Sequence, residues 1–151
     1  MSILIENRQK KINVDLRHVK QVLSKIMNYL DCKDKEISLS FVDNNEMREI
    51  NKCYLNRDYS TNIITFSLTE GEFGYVNPKV LGDIVISVEA ALKDAEEADA
   101  ELNDELEYLM IHGMLHLLNY NHENTSEDEA EKMEKKEQEI FRIINKLSKS
   151  K

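Results

Sequence analysis

The spacing of histidines in the segment 111–122 is the feature of this sequence that most clearly predicts chemistry. His112 and His116 are four residues apart in an apolar stretch with the pattern of a helix. Residues at positions i and i+4 lie on one face of a helix, one turn apart, so both imidazoles can point at a common metal ion. The pair therefore predicts a two-ligand clamp.

A third histidine follows the point at which this helix is expected to end. Asn119 can adopt the left-handed conformation that ends helices, and His122 would then fold back toward the first two histidines. Three neutral imidazoles suit zinc, and a three-ligand site leaves a fourth position for water, which is typical of catalytic zinc. We predict one zinc ion per chain, bound by His112, His116 and His122.

The alternative is that these histidines are ordinary core or surface residues. From Tyr108 to Leu118 the sequence is apolar on nearly every side of a helix, which predicts that the helix is buried. Two buried imidazoles without partners would each cost about 1 to 3 kcal/mol, and a shared metal ion satisfies both. His18, which stands alone on a mixed helix, is predicted to have no special role.

The same spacing of three histidines occurs in the metzincin proteases, whose motif is HExxHxxGxxH. In those enzymes the glutamate of the motif is the general base, but this chain has Gly113 there, with no side chain to accept a proton. Peptidase chemistry by that route is not supported. If the site is catalytic, zinc itself must activate a water molecule.

Composition limits the compartment and the partners. The 151 residues, 41% of them hydrophobic, suit a single domain spanning 1–151. A net charge of -9 argues against a broad basic face, so any contact with nucleic acid must be local. We predict a cytoplasmic protein with no membrane partner, because the sequence has no long apolar run, no signal-peptide pattern and no CxxC pair.

Hydrophobic periodicity predicts the elements that must position the histidines. Strands are predicted at Ser2 to Glu6, Ile37 to Val42, Ile63 to Leu68 and Asp83 to Ser87. Helices are predicted at Val14 to Leu30 and, after an N-cap at Asp43, at Glu46 to Leu55. Three further helices are predicted after N-caps at Ser87, Asn103 and Ser126, and these end near Ala98, Leu118 and Leu147, respectively. This order predicts an α+β fold, a single domain with a mixed sheet of about four strands and the metal-binding helix in its C-terminal half.

The sequence from His112 to His122, HGMLHLLNYNH, resembles the HGxLHLxGYDH motif of the YbeY family, with asparagine in place of the family's glycine and aspartate. Upstream blocks also resemble the family. They are Leu55-Asn56 with Tyr59, the TNIITF strand that begins at Thr61, and the LGDI block at 81–84. The resemblance covers most of the chain.

The resemblance implies a zinc-dependent, single-strand-specific endoribonuclease that acts in small-subunit ribosomal RNA maturation and ribosome quality control. It implies that His112, His116 and His122 are the metal ligands and that His116 is also part of the catalytic machinery. The implied partners are single-stranded ribosomal RNA and the small ribosomal subunit, with a ribosomal protein or a GTPase as a further possible partner.

One block departs from the family. Its members usually read LNxxYRxxDxPT before the strand, whereas here Tyr59 and Ser60 lead straight to Thr61, so the arginine and several loop residues are missing in this comparison. Arg57 is the candidate replacement as a catalytic cation, or else an ordinary exposed residue. Thr61 and Asn62 are candidate substrate-binding residues, or else merely close a turn.

Two other functions remain open from the sequence. The protein could be a non-catalytic, ribosome-associated factor with a structural zinc site, which the missing arginine and the acidic charge would both favour. It could also be a metal-dependent hydrolase of another substrate, for which the metzincin-like spacing is the only support.

Overall fold

The computed structural model describes residues 2–67, 80–118 and 127–149, with side chains described for 3–67, 80–118 and 131–144. Its strands are β1 Ser2–Asn7, β2 Glu36–Val42, β3 Ile63–Ser67 and β4 Val80–Ser87. Its helices are α1 Leu16–Tyr29, α2 Asn44–Leu55, α3 Val88–Glu97, α4 Leu102–Leu117 and α5 Glu127–Lys149. The predicted α+β fold with a mixed sheet is confirmed.

The four strands form one sheet in the order β1-β2-β4-β3. The first three of these are parallel, and β3 runs antiparallel to β4. Gly82 is required where β4 passes β3, because its φ is +143° and a Cβ atom there would lie 2.1 Å from the carbonyl oxygen of Phe66.

Each face of the sheet is covered by helices, because alternate residues of a strand point to opposite faces. On one face Ile37, Leu39 and Phe41 join the main core with residues of α1, α3, α4 and α5. On the other face Val42 and Val85 form a smaller core with α2. None of the helices in the described ranges combines the length and the apolar character needed to cross a membrane.

The helix starts follow local capping chemistry where the structure describes them. Asp43 and Ser87 cap α2 and α3 as predicted, each accepting a hydrogen bond from a backbone N–H in the first turn. The predicted cap at Asn103 is wrong, because the N-cap of α4 is Glu101, two residues earlier, and it makes no side-chain cap bond. The predicted cap at Ser126 lies outside the described residues.

Candidate metal centre

Helix α4 places His112 and His116 side by side, as their spacing predicts. Their Nε2 atoms are 2.9 Å apart, and the ring centroids are 4.4 Å apart. The neighbouring Ile111 and Leu115 are fully buried in the core, whereas the two imidazoles are partly exposed. The helix therefore uses one narrow face for the histidines and the rest of its surface for packing.

Glu137 of α5 fixes the orientation of His112. Its Oε1 lies 2.8 Å from Nδ1 of His112, and its Oε2 accepts a hydrogen bond of 2.6 Å from the hydroxyl of Tyr108. An ionised carboxylate only accepts hydrogen bonds, so this arrangement favours the tautomer of His112 that carries its proton on Nδ1 and a lone pair on Nε2. Burial, together with the bond to Glu137, raises the pKa of Tyr108 and keeps its hydroxyl a donor.

This donor set fits a zinc ion. Two nitrogen ligands at about 2.0 to 2.1 Å from a tetrahedral ion lie about 3.3 Å apart, only a few tenths of an ångström more than the separation of the two Nε2 atoms here. A carboxylate bound to the other ring nitrogen is a common partner of a metal-binding histidine. The predicted third ligand, His122, lies outside the described residues, and within those residues no group of three ligand side chains forms.

The two histidines line a cleft of about 370 Å³. Its other wall comes from α2, the segment that follows α2 and the start of β3, with Asn51, Leu55, Arg57, Tyr59 and Thr61 among the lining residues. The predicted substrate-binding residue Thr61 therefore lies on the cleft.

The second predicted substrate-binding residue, Asn62, does not line this cleft. Its Nδ2 donates a hydrogen bond of 3.1 Å to Asp94 of α3, and its carbonyl oxygen accepts one of 2.9 Å from the backbone of Ser87. These bonds connect the start of β3 to α3 and to the end of β4, and the role of Asn62 in substrate binding stays a prediction.

The end of α2 positions Arg57 on the cleft wall. Asn56 takes the left-handed conformation, with φ of 57°, and the N–H of Arg57 donates to the carbonyl oxygen of Asn51 at 3.2 Å. The adjacent Asp58 pairs at 2.7 Å with Arg48, and this lowers the pKa of Asp58. Arg57 lines the cleft, and among the described side chains it forms no ion pair.

Gly113 faces away from the histidines and toward the sheet. A Cβ atom there would lie 3.0 Å from Cδ1 of Ile84 and 3.1 Å from Cδ1 of Ile63. A side chain at this position would enter the core and not the cleft. The structure therefore gives a packing reason for the residue that distinguishes this chain from the metzincin motif.

Sequence reasoning missed Glu137, although a signal for it was present. Met133, Ile140 and Ile144 form the buried stripe of α5, and Glu137 lies on that stripe at helical spacing. The residue is 0% exposed. A carboxylate in an apolar stripe needs a buried partner, and His112 and Tyr108 are those partners.

Comparison with known proteins gives a consistent result. The family model described as Endoribonuclease YbeY matches residues 4–145. The chain is 54% identical to a protein named Endoribonuclease YbeY from Syntrophus aciditrophicus, covering 96% of this chain and 91% of that protein. It is 44% identical to the protein of that name from Syntrophotalea carbinolica, covering 94% and 95%.

A solved structure supports the fold. The solution structure of TM1509 from Thermotoga maritima matches with a TM-score of 0.63, covering 99% of this chain and 95% of that one. At 24% identity the likeness concerns the fold alone.

The loop motif LNxxYRxxDxPT also fits the sequence in a different register. The motif fits without a gap from Ile50 to Thr61, so that Asn51, Tyr54 and Asp58 match it. In this register no loop residue is missing, and Leu55 occupies the position of the arginine. Asn51 is 1% exposed and holds the loop, which explains why an asparagine is needed there.

Proposed function

The chain belongs to the Endoribonuclease YbeY family, and we propose on this basis that it is a zinc-dependent endoribonuclease that cuts single-stranded RNA. The observation that carries the proposal is the pair of Nε2 atoms of His112 and His116, 2.9 Å apart on a cleft that also holds Arg57. A pair of metal ligands and an arginine on one cleft suit attack on a phosphodiester.

We assign the following roles to the residues. His112, His116 and His122 hold the zinc ion, with His112 oriented by Glu137. When bound, zinc supplies a Lewis acid and lowers the pKa of a water molecule. The guanidinium of Arg57 binds the phosphate and offsets the negative charge that develops on it, and Thr61 contributes to the substrate-binding wall.

For the biological setting, we propose small-subunit ribosomal RNA maturation and ribosome quality control in the cytoplasm. The partners would be single-stranded ribosomal RNA and the small ribosomal subunit, with a ribosomal protein or a GTPase as a further partner. The family resemblance supports this setting. Cys53 is an exposed free thiol, which suits a reducing compartment.

A non-catalytic ribosome-associated factor is the second candidate, because Leu55 occupies the position of the motif's arginine. Arg57, two residues later, favours the enzyme. It lines the same cleft as His112 and His116, so the site still contains a positively charged side chain.

The test is RNA cleavage by purified protein, with zinc measured in the same preparation. We expect about one zinc per chain and cleavage of single-stranded but not duplex RNA. A chelator should abolish cleavage and added zinc should restore it. His116→Ala should lose zinc and lower cleavage by about a hundredfold or more, because it removes a metal ligand.

His18→Gln is the matched control, since His18 lies on α1 away from the cleft and the amide of glutamine keeps an N–H donor for the buried Glu107. It should retain both zinc and cleavage. Zinc-loaded protein that binds ribosomal subunits but cuts no RNA would support the non-catalytic factor instead.

A further inference from the structure

Tyr59 is a large side chain left open to solvent on the wall of the metal cleft. It is 52% exposed and lines the cleft together with His112 and His116. Leu55, 40% exposed, lies on the same wall. Aromatic and apolar side chains exposed in a concave site are typical of surfaces that bind a ligand.

A buried asparagine fixes the segment that carries Tyr59. Nδ2 of Asn51 donates a hydrogen bond of 2.9 Å to the carbonyl oxygen of Tyr59, and the carbonyl oxygen of Asn51 accepts from the N–H of Arg57. Oδ1 of Asn51 is buried and has no hydrogen-bond partner in the described part of the chain, which costs free energy. The residue that carries this unsatisfied oxygen is the one that holds both Tyr59 and Arg57 on the cleft wall.

The charge of the molecule limits what phosphate contacts can contribute. The net charge is -9, and Arg57 is the only lysine or arginine among the described residues that line the cleft. Binding of RNA at this site must therefore draw on contacts with bases as well as with phosphates. Stacking on an aromatic ring is the base contact that tolerates any sequence.

We propose that the ring of Tyr59 is a stacking platform for one unpaired base of the substrate RNA, beside the phosphate bound by Arg57. This rests on the proposed function and adds a reason for selectivity between single-stranded and duplex RNA. A base inside a duplex has both faces covered by its neighbours, whereas an unpaired base can place one face on Tyr59.

Tyr54, at the end of α2 and five residues before Tyr59, provides a matched control. It is more exposed than Tyr59, at 72%, but it packs edge-on against Phe66 with ring centroids 5.6 Å apart. It lines a different cavity, with Arg8 and Asp83. A general effect of removing an exposed tyrosine should therefore appear equally at both positions.

The first experiment uses the absence of tryptophan from the chain. Tyr59→Trp introduces a single fluorophore into the cleft, and Tyr54→Trp introduces one outside it. Zinc-loaded protein is mixed with a short single-stranded RNA, and fluorescence is read at once, before cleavage proceeds. We expect quenching with Tyr59→Trp and none with Tyr54→Trp. Equal quenching at the two positions, or none at position 59, overturns the platform.

The second experiment measures binding and cleavage of the same RNA. Tyr59→Ala should weaken binding about tenfold and raise KM with zinc content unchanged, whereas Tyr59→Phe should behave like the parent protein. An oligonucleotide that lacks one base should bind more weakly to the parent protein, and the loss should disappear in Tyr59→Ala.

The two proposals fail in different ways. If Tyr59→Ala binds and cuts RNA with unchanged KM, the platform is overturned and the endoribonuclease stands. If the tryptophan at position 59 is quenched but no RNA is cut under any zinc condition, the platform stands and the proposed function fails.

Discussion

At the residue scale, the geometry around His112 depends on a residue of another helix. Glu137 accepts from Nδ1 of His112 and from the hydroxyl of Tyr108, so it sets both the tautomer and the direction of the imidazole. His112 and His116 were predictable because four residues are one turn of a helix. Glu137 was harder to find, because α5 contains many glutamates and only tertiary packing distinguishes the buried one.

Glu137→Gln should lower zinc affinity by about tenfold to a hundredfold with the fold retained. The amide occupies the same volume but provides a weaker acceptor for Nδ1–H of His112. Zinc affinity is measured by competition with a chelator, and the tautomer of His112 by nitrogen NMR. Glu134→Gln, an exposed position one turn earlier on α5, is the control and should bind zinc as the parent protein does. Unchanged zinc affinity in Glu137→Gln would mean that the glutamate serves packing alone.

A second buried carboxyl predicts how stability depends on pH. Glu107 of α4 is 3% exposed, with Oε1 3.3 Å from Nε2 of His18 and no hydrogen-bond partner for Oε2 among the described residues. Burial raises the pKa of Glu107 above its ordinary value of 4.5, although His18 opposes this shift.

The folded state thus holds the proton of Glu107 more tightly than the unfolded state does. Stability from this group is present below about pH 4.5 and is lost as pH rises through the raised pKa. Glu107→Gln cannot titrate, so the free energy of unfolding of the variant, relative to the parent protein, should increase between pH 4 and pH 8. Urea denaturation at several pH values measures this difference, and a difference that stays constant with pH would exclude the effect.

At the element scale, the fold was more predictable at helix starts with polar caps than elsewhere. Asp43 and Ser87 are followed by helical patterns, and both cap as expected. The start of α4 was misplaced because Asn103 is a good capping residue, yet the helix already begins at Leu102. Strand β4 begins at Val80, three residues before the predicted Asp83, because Gly82 weakens a strand pattern in sequence.

The contact between α4 and the sheet tolerates little change at Gly113. Gly113→Ala replaces glycine by a better helix former, a gain of up to about 1 kcal/mol, but presses on the flexible ends of Ile63 and Ile84. We expect its effect on stability to be small. Gly113→Leu should destabilise the protein by about 1 to 3 kcal/mol, because the core has no room for the extra atoms.

Thermal denaturation of the two Gly113 variants measures both effects. Because overpacking moves α4 away from the sheet, Gly113→Leu should also weaken zinc binding by His112 and His116. If Gly113→Leu is as stable as Gly113→Ala, the close packing of α4 on the sheet is not a constraint.

At the scale of the whole molecule, the acidic charge and the cleft cation Arg57 act against each other. A net charge of -9 repels RNA at long range, while Arg57 attracts one phosphate at short range. The sequence indicated Arg57 as a candidate cation but not the contacts that place it on the cleft. The turn at Asn56 and the pairing of Arg48 with Asp58 become visible only in the fold.

Arg57→Gln tests how much of RNA binding is electrostatic. For single-stranded RNA, each phosphate contact contributes about -0.7 to the slope of the logarithm of the association constant against the logarithm of the salt concentration. The parent protein should therefore show a shallow slope, and the slope of the variant should be shallower by about 0.7. Cleavage should fall by at least about tenfold, or 1.4 kcal/mol of transition-state stabilisation, with zinc content unchanged.

Arg142→Gln is the control for the loss of one positive charge, because Arg142 is exposed on α5 and lines a different cavity. It should alter neither the slope nor the cleavage rate. Arg48→Gln should weaken RNA binding without touching the cleft, since it releases the charge of Asp58 next to Arg57. If Arg57→Gln and Arg142→Gln have the same salt slope, another cation must contact the phosphate. The slope depends on the number of counterions released, and only a cation that contacts a phosphate releases them.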